Sequence, residues 1–316
     1  MDEPAVQPTD IADARRRTAG HLRVTPVVHT SAGELGLPYP VTLKLELLQH
    51  TGSFKPRGAF NRILAAAEAG EIGPAGLIAA SGGNHGAAVA FAAQRLGYPA
   101  EVFVPSASPV MKRERITSFG ATVRVIDGLF DDAYAAALER QAATGAVMIH
   151  PFDHVDVVAG QGTLAAELDE QLPGYDTLLV ATGGGGFTAG QAAWVRDQHR
   201  VVSVEPLTSR CLHAAMAAGE PAPVTVAGLA SDSLGCRQIG DIAWSVVRRY
   251  VDEAVLVTDH DIRSAQQAMW QQFRLVVEPG GATALAALRS GAYTPDAGER
   301  VVVVVCGSNC DPTSVL

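Results

Sequence analysis

Apolar residues recur along the chain in two alternating rhythms. Residues 41–46, Val-Thr-Leu-Lys-Leu-Glu, alternate at period two and predict a strand, whereas residues 59–68 run at helical spacing. From residue 77 to 151 the strand-like runs LIAAS, AEVFVP, ATVRVID and VMIHP are separated by the helical stretch AAVAFAAQRLG and by further helices at 109–119 and 131–143. The alternation resumes with TLLVA at 177–181, VVSVE at 201–205, AVLVT at 254–258 and VVVVVC at 301–306. Helices are expected between them at 160–171, 188–197, 259–273 and 281–290. Apolar strands joined by crossover helices imply an α/β architecture with doubly wound parallel sheets. The chain opens on a helix expected at 9–22, with Asp10 as its N-cap, ended by Val-Thr-Pro-Val-Val at 24–28.

Composition narrows this picture. A chain of 316 residues suggests two domains or one large α/β unit. With 47% hydrophobic and 18% charged residues it is neither disordered nor a coiled coil. Lys and Arg total 24 against 33 Asp and Glu, a net charge of −9, and no basic run exceeds Arg15-Arg16-Arg17, so nucleic acid is not an expected partner. The N-terminus Met-Asp-Glu-Pro-Ala is acidic where a signal peptide is basic, and no apolar run approaches the roughly 18 residues of a membrane helix. A cytoplasmic location is expected. Cys211, Cys236, Cys306 and Cys310 have neither zinc-ribbon nor redox spacing, which predicts reduced thiols.

Chemistry concentrates where strands give way to helices. In TGSFKPRGA, residues 51–59, Lys55 is expected on such a turn among Gly, Ser, Phe and Pro, with Arg57 two residues on. Partial loss of hydration would lower its pKa and leave an amine able to attack a carbonyl and form a Schiff base, the alternative being an ordinary solvated lysine. SGGNHG, residues 81–86, ends a strand and opens a helix, so its uncovered amides offer a seat for a carboxylate. Gly183, Gly184, Gly185 and Gly186 follow TLLVA and precede a helix, which suits a phosphate. The loop lacks the Lys-Ser/Thr ending of a P-loop, and Glu205 lies near the distance at which a dinucleotide site places its acid, so a nucleotide remains the alternative.

These three motifs, with HPFDHVDVVAGQGT at 150–163 and VVVVVCGSN at 301–309, resemble in order and over nearly the whole chain the fold-type-II pyridoxal-phosphate enzymes. The branch is that of serine and threonine dehydratases and serine racemase. The resemblance implies two doubly wound parallel-sheet domains of the tryptophan synthase β-like kind. Residues 1–50 and 148–316 would form a large cofactor-binding domain and 51–147 a small one, with the site in the cleft between them. It implies that Lys55 carries pyridoxal 5'-phosphate and acts as general base, with Phe54 beside the cofactor. Ser81, Gly82, Gly83, Asn84 and His85 would grip the substrate carboxylate, Asn84 would also bond the cofactor's phenolic oxygen, and Ser81 joins Lys55 among the catalytic candidates. Gly183 to Gly186 would hold the phosphate, and Cys306 would face the pyridine nitrogen. Glu278 matches the family acid near the ring, or is simply a helix-start glutamate.

Glu205 and Ser209 match the family's cation site; Cys211 stands where racemases supply a second carboxylate, which argues against magnesium and leaves a monovalent cation. The implied activity is elimination of water from L-threonine, L-serine or a related β-hydroxy amino acid, giving a 2-oxo acid and ammonia, in a homodimer. Racemisation and β-replacement are alternatives within the fold, and a non-catalytic amino-acid or nucleotide-binding module is the alternative outside it. Racemases carry a serine where this chain has Gly82. Little D-product is therefore expected, Ser81 is expected to point elsewhere, and Gly82→Ser is expected to raise racemisation.

Overall fold

A computed structural model describes residues 3–315. Among these, ten strands form two sheets. In chain order they are β1 (Val27–His29), β2 (Thr42–Lys44), β3 (Leu77–Ala80), β4 (Ala100–Pro105), β5 (Thr122–Ile126), β6 (Val147–Met148), β7 (Thr177–Ala181), β8 (Arg200–Pro206), β9 (Glu253–Val257) and β10 (Val301–Val304). One sheet runs β1-β2-β10-β7-β8-β9 and the other β5-β4-β3-β6. All pairings are parallel except β1 with β2, which run antiparallel with Val27 opposite Lys44 and His29 opposite Thr42. The two sheets are parallel as expected, with one antiparallel pair added at an edge of the larger. The link from β1 to β2 holds only a 3-10 turn at Glu34–Gly36, not the crossover helix that a parallel connection needs.

Each sheet has its own core. Around the six-stranded sheet pack Val6 to Leu47 and Val158 to Cys306; around the four-stranded sheet pack residues between Ala59 and Ile149. The valine run explains the centre of the larger sheet. Val301 to Val305 are at most 2% exposed, because β10 lies between β2 and β7 and is covered on both faces. Such burial contributes at most about 1.5–3 kcal/mol per valine.

The long helix Val155–Gln171 starts five residues before the expected 160, because the His154 side chain accepts from Asp156 N and caps it. Two of its glycines are there for packing. A Cβ on Gly160 would lie 2.6 Å from Arg57 O, and one on Gly162 2.6 Å from Gly190 O. The helices Lys55–Glu68 and Gly186–Val195 therefore cross this one closely, and the two loops that open them are held against a common strut. The first helix, Pro8–Arg17, is shorter than expected and has Gln7 as its N-cap; Asp10 sits one turn in, accepting from Gln7 N at 2.7 Å. No helix among the described residues is long and apolar enough to cross a membrane.

Candidate active site

The carboxyl ends of β3, β7 and β10 lead directly into Ser81, Thr182 and Val305. Between the two sheets there opens a cavity of about 910 Å³, lined by Phe54, Lys55, Ser81, Asn84, His85 and the whole of Gly183 to Gly186, among others. The sequence motifs therefore converge on one cleft. Lys55 is the first residue of its helix rather than a turn residue, since Pro56 at the second position fits a helix start. Its Nζ donates to Pro151 O at 2.9 Å and lies 5.0 Å from the centre of the Phe54 ring, which stacks on Phe187 at 3.9 Å. Burial lowers its pKa to about 8, against the opposing pull of Cys236, Cys306 and Glu278.

Arg57, two residues on, lies in a buried ionic cluster. Its Nε and Nη2 bond the two oxygens of Glu46 at 2.6 and 2.9 Å, and Nη2 also reaches Glu167 Oε2 at 2.9 Å. Lys44 Nζ completes the set on Glu167 Oε1 at 2.5 Å and Thr25 O at 2.7 Å. Two cations and two anions thus tie the helix of Lys55 to β2 and to the strut helix. No local sequence signal joins residues so far apart, and the cluster was not expected.

On the opposite wall, Asn84 Nδ2 donates to Glu278 Oε1 at 2.7 Å, and Asn84 Oδ1 accepts from Asn309 Nδ2 at 2.6 Å. Glu278, buried at a helix start, has its carboxyl pushed up to about 7 by desolvation, partly offset by the Asn84 bond. His85 faces Ile149 O at 2.7 Å; a carbonyl only accepts, so Nε2 carries the proton and Nδ1 is left an acceptor. Burial and the Lys55 charge hold His85 down at about 3, so its ring is neutral. Ser81 lines the cavity. A Cβ on Gly82 would point instead at Ser108, 2.1 Å from its Oγ, so a serine at 82 would enter the space of Ser108 and not the cavity.

The glycine loop has little room for side chains. Cβ atoms would fall 2.7 Å from the Phe152 ring at Gly184, 2.7 Å from Ile239 at Gly185 and 2.3 Å from Phe152 O at Gly186. Gly185 also has φ +87°, a left-handed backbone that favours glycine. Among the described residues none of the N–H groups from Gly183 to Phe187 donates to a protein acceptor, and the helix Gly186–Val195 adds its positive end.

Residues 18–307 match the family described as pyridoxal-phosphate dependent enzyme. This chain belongs to that family. It is 36% identical over 310 residues to an L-threonine ammonia-lyase of Geobacter sulfurreducens, covering 97% of this chain and 76% of the relative. Maize serine racemase superposes with a TM-score of 0.90 at 31% identity, covering 97% of this chain and 94% of that one. A threonine deaminase from T.th. gives 0.88 at 32% identity over 96% and 99%. The site of this pyridoxal-phosphate dependent enzyme suits the family's cofactor. The loop of free amides, closed to side chains, matches a phosphate, and a desolvated lysine amine matches an aldehyde.

The remaining expected residues lie behind this cavity. Cys306 is buried with Sγ 3.5 Å from Gly280 O, and desolvation raises its pKa, keeping it a neutral thiol. Glu205 is fully buried and caps the helix Cys211–Ala218, its two oxygens accepting from Leu212 N at 2.9 Å and His213 N at 2.7 Å. Burial raises that carboxyl to about 7. Ser209 Oγ donates to Leu234 O at 3.2 Å. Among the described residues no three His, Cys, Asp or Glu side chains group as metal ligands.

Proposed function

We propose that this enzyme eliminates water from L-threonine, L-serine or a related β-hydroxy amino acid, releasing a 2-oxo acid and ammonia. The observation that carries the reading is the Lys55 amine, held with a pKa of about 8 in a cavity bounded by the glycine loop and by SGGNHG. When bound, pyridoxal phosphate supplies an aldehyde to receive an amine and an electron sink for charge at Cα. Lys55 would carry the cofactor and, once displaced by the substrate amine, take the Cα proton; at neutral pH a pKa near 8 leaves an appreciable fraction of free base.

The amides of Gly183, Gly184, Gly185 and Gly186 would hold the phosphate, and those opening the helix Asn84–Leu96, with Ser81, the substrate carboxylate. Asn84, fixed by Glu278 and Asn309, keeps one amide hydrogen free for the cofactor oxygen, and Phe54 walls the site beside Lys55. A neutral Cys306 toward the ring nitrogen would leave it unprotonated, a weaker sink that favours prompt loss of a β-leaving group over transamination. Racemisation needs a second acid opposite Lys55, and Gly82 cannot supply one.

The same reading takes residues 51–147 as a small domain closing on the rest, and a cytoplasmic homodimer without nucleic-acid partners. It also takes a monovalent cation beside Glu205, which would keep that carboxyl ionised. The test is 2-oxo acid release measured across a panel of β-hydroxy amino acids, in potassium and in a bulky organic cation. No release from any member would overturn the reading.

A further inference from the structure

Behind the glycine loop runs a line of three hydroxyls. Ser203 Oγ on β8 donates to Thr182 Oγ1 at 2.7 Å, and the Thr182 and Thr188 hydroxyls are also 2.7 Å apart, with either able to donate. Ser203 and Thr188 are fully buried and Thr182 is 1% exposed. Thr188 is the third residue of the helix Gly186–Val195 and lines the cavity. Its neighbours on that helix, Phe187, Ala189, Ala192 and Val195, are apolar and buried, so packing alone would take an aliphatic side chain here.

A threonine inside a helix ordinarily turns its hydroxyl onto the carbonyl four residues back. That carbonyl, Gly184 O, accepts instead from Gly240 N at 3.1 Å, and Thr188 makes no bond to it. Each hydroxyl has a single proton. Ser203 gives its own to Thr182. Among the described residues the only other acceptor for the Thr182 proton is Val180 O at 3.5 Å, the far limit of a hydrogen bond, so the shorter contact to Thr188 is the better one. The Thr188 proton then has no acceptor among the described residues, and the cavity with its row of free amides lies beside it.

We propose that Thr188 Oγ1 is a further donor to the phosphate seated in the glycine loop, with Ser203 and Thr182 orienting its proton. The proposal rests on the reading of this cavity as the pyridoxal-phosphate site. The loop amides supply donors of fixed direction, and the hydroxyl supplies one that rotates toward the dianion; a bond to a charged acceptor is stronger than one between neutral groups.

The test compares binding of pyridoxal phosphate and of pyridoxal to cofactor-free protein by equilibrium dialysis. Both probes reach Lys55, and only one has a phosphate. Thr188→Val, which keeps the shape and removes the hydroxyl, should weaken pyridoxal phosphate about tenfold and leave pyridoxal unchanged, while Thr188→Ser should bind both like the native protein. The phosphorus resonance of bound pyridoxal phosphate should shift in the valine variant, and Thr182→Val should give part of the same loss. Equal weakening of both probes, or of neither, overturns the role of Thr188. Failure of the native protein to bind pyridoxal phosphate overturns the underlying reading and the proposal with it. Should the valine variant not fold, Thr188→Ala against Thr188→Ser provides the same contrast.

Discussion

Introducing a side chain at position 82 tests both the shape of the substrate loop and the argument against racemisation. A Cβ there would lie 2.1 Å from Ser108 Oγ and 2.7 Å from Ser108 Cβ, both far inside normal contact, while its next neighbour, Val104 Cβ, is at 3.8 Å. The conflict is therefore with one side chain. Overpacking of this kind costs about 1–3 kcal/mol. Gly82→Ala should destabilise the protein by about 2 kcal/mol, a fall of roughly 3 °C in Tm for a chain of this size. Ser108→Gly alone should be near neutral, and the double variant should recover at least half the loss, a coupling of about 1 kcal/mol. Thermal unfolding of the four proteins closes the cycle. Additive effects would refute the contact. For function, Gly82→Ser combined with Ser108→Gly should still give 2-oxo acid with little D-amino acid, read by chiral chromatography, because the new hydroxyl starts in the space of Ser108. Abundant D-product from this variant would show that the loop presents position 82 to the substrate, and from the unmodified protein it would overturn the lyase assignment.

Lys55→Met should abolish turnover while stabilising the cofactor-free protein by up to about 3 kcal/mol at pH 7, since burial disfavours the ammonium form. The folded pKa of about 8 lies below the ordinary lysine value of 10.5, so this penalty is fully present below pH 8 and fades between pH 8 and 10.5, and the advantage of methionine in urea unfolding should shrink across that window. Arg57→Met should cost about 3–5 kcal/mol by leaving Glu46 without a counter-charge, while Glu167 keeps only Lys44, measured by the same unfolding; a cost under about 1 kcal/mol would mean that water reaches the cluster. Cys306→Ser should retain much of the activity, since both groups are neutral, whereas Cys306→Asp should raise transamination by-product; an unchanged product ratio in the aspartate variant would count against a place near the ring nitrogen.

What was legible in the sequence is what is local. The continuous apolar runs give β7 to β10 nearly residue for residue, and the glycine loop and Lys55 stand out because each needs only its immediate neighbours. Elements set by distant partners were not legible. The helix Cys211–Ala218 has no cap beside it, because its start is held by Glu205 from the end of β8. Gly160 and Gly162 read as part of a motif, and their purpose emerges only when two other helices cross them. Ser108 occupies the space beside Gly82 from a different loop, and Ser203 reaches Thr188 only through Thr182. In each case tertiary contact supplies a partner that no spacing along the chain announces.

The cluster of Lys44, Glu46, Arg57 and Glu167 also bears on how this sequence can change over time. Removing any one member strands a charge in the interior, yet replacing a whole buried ionic set by well-packed apolar residues is often neutral or better. Both endpoints are then viable while every single step between them passes through a poorly folded protein. The four positions behave as a ratchet: once assembled, they can drift only together, and the orientation of the helix that begins at Lys55 is carried along with them.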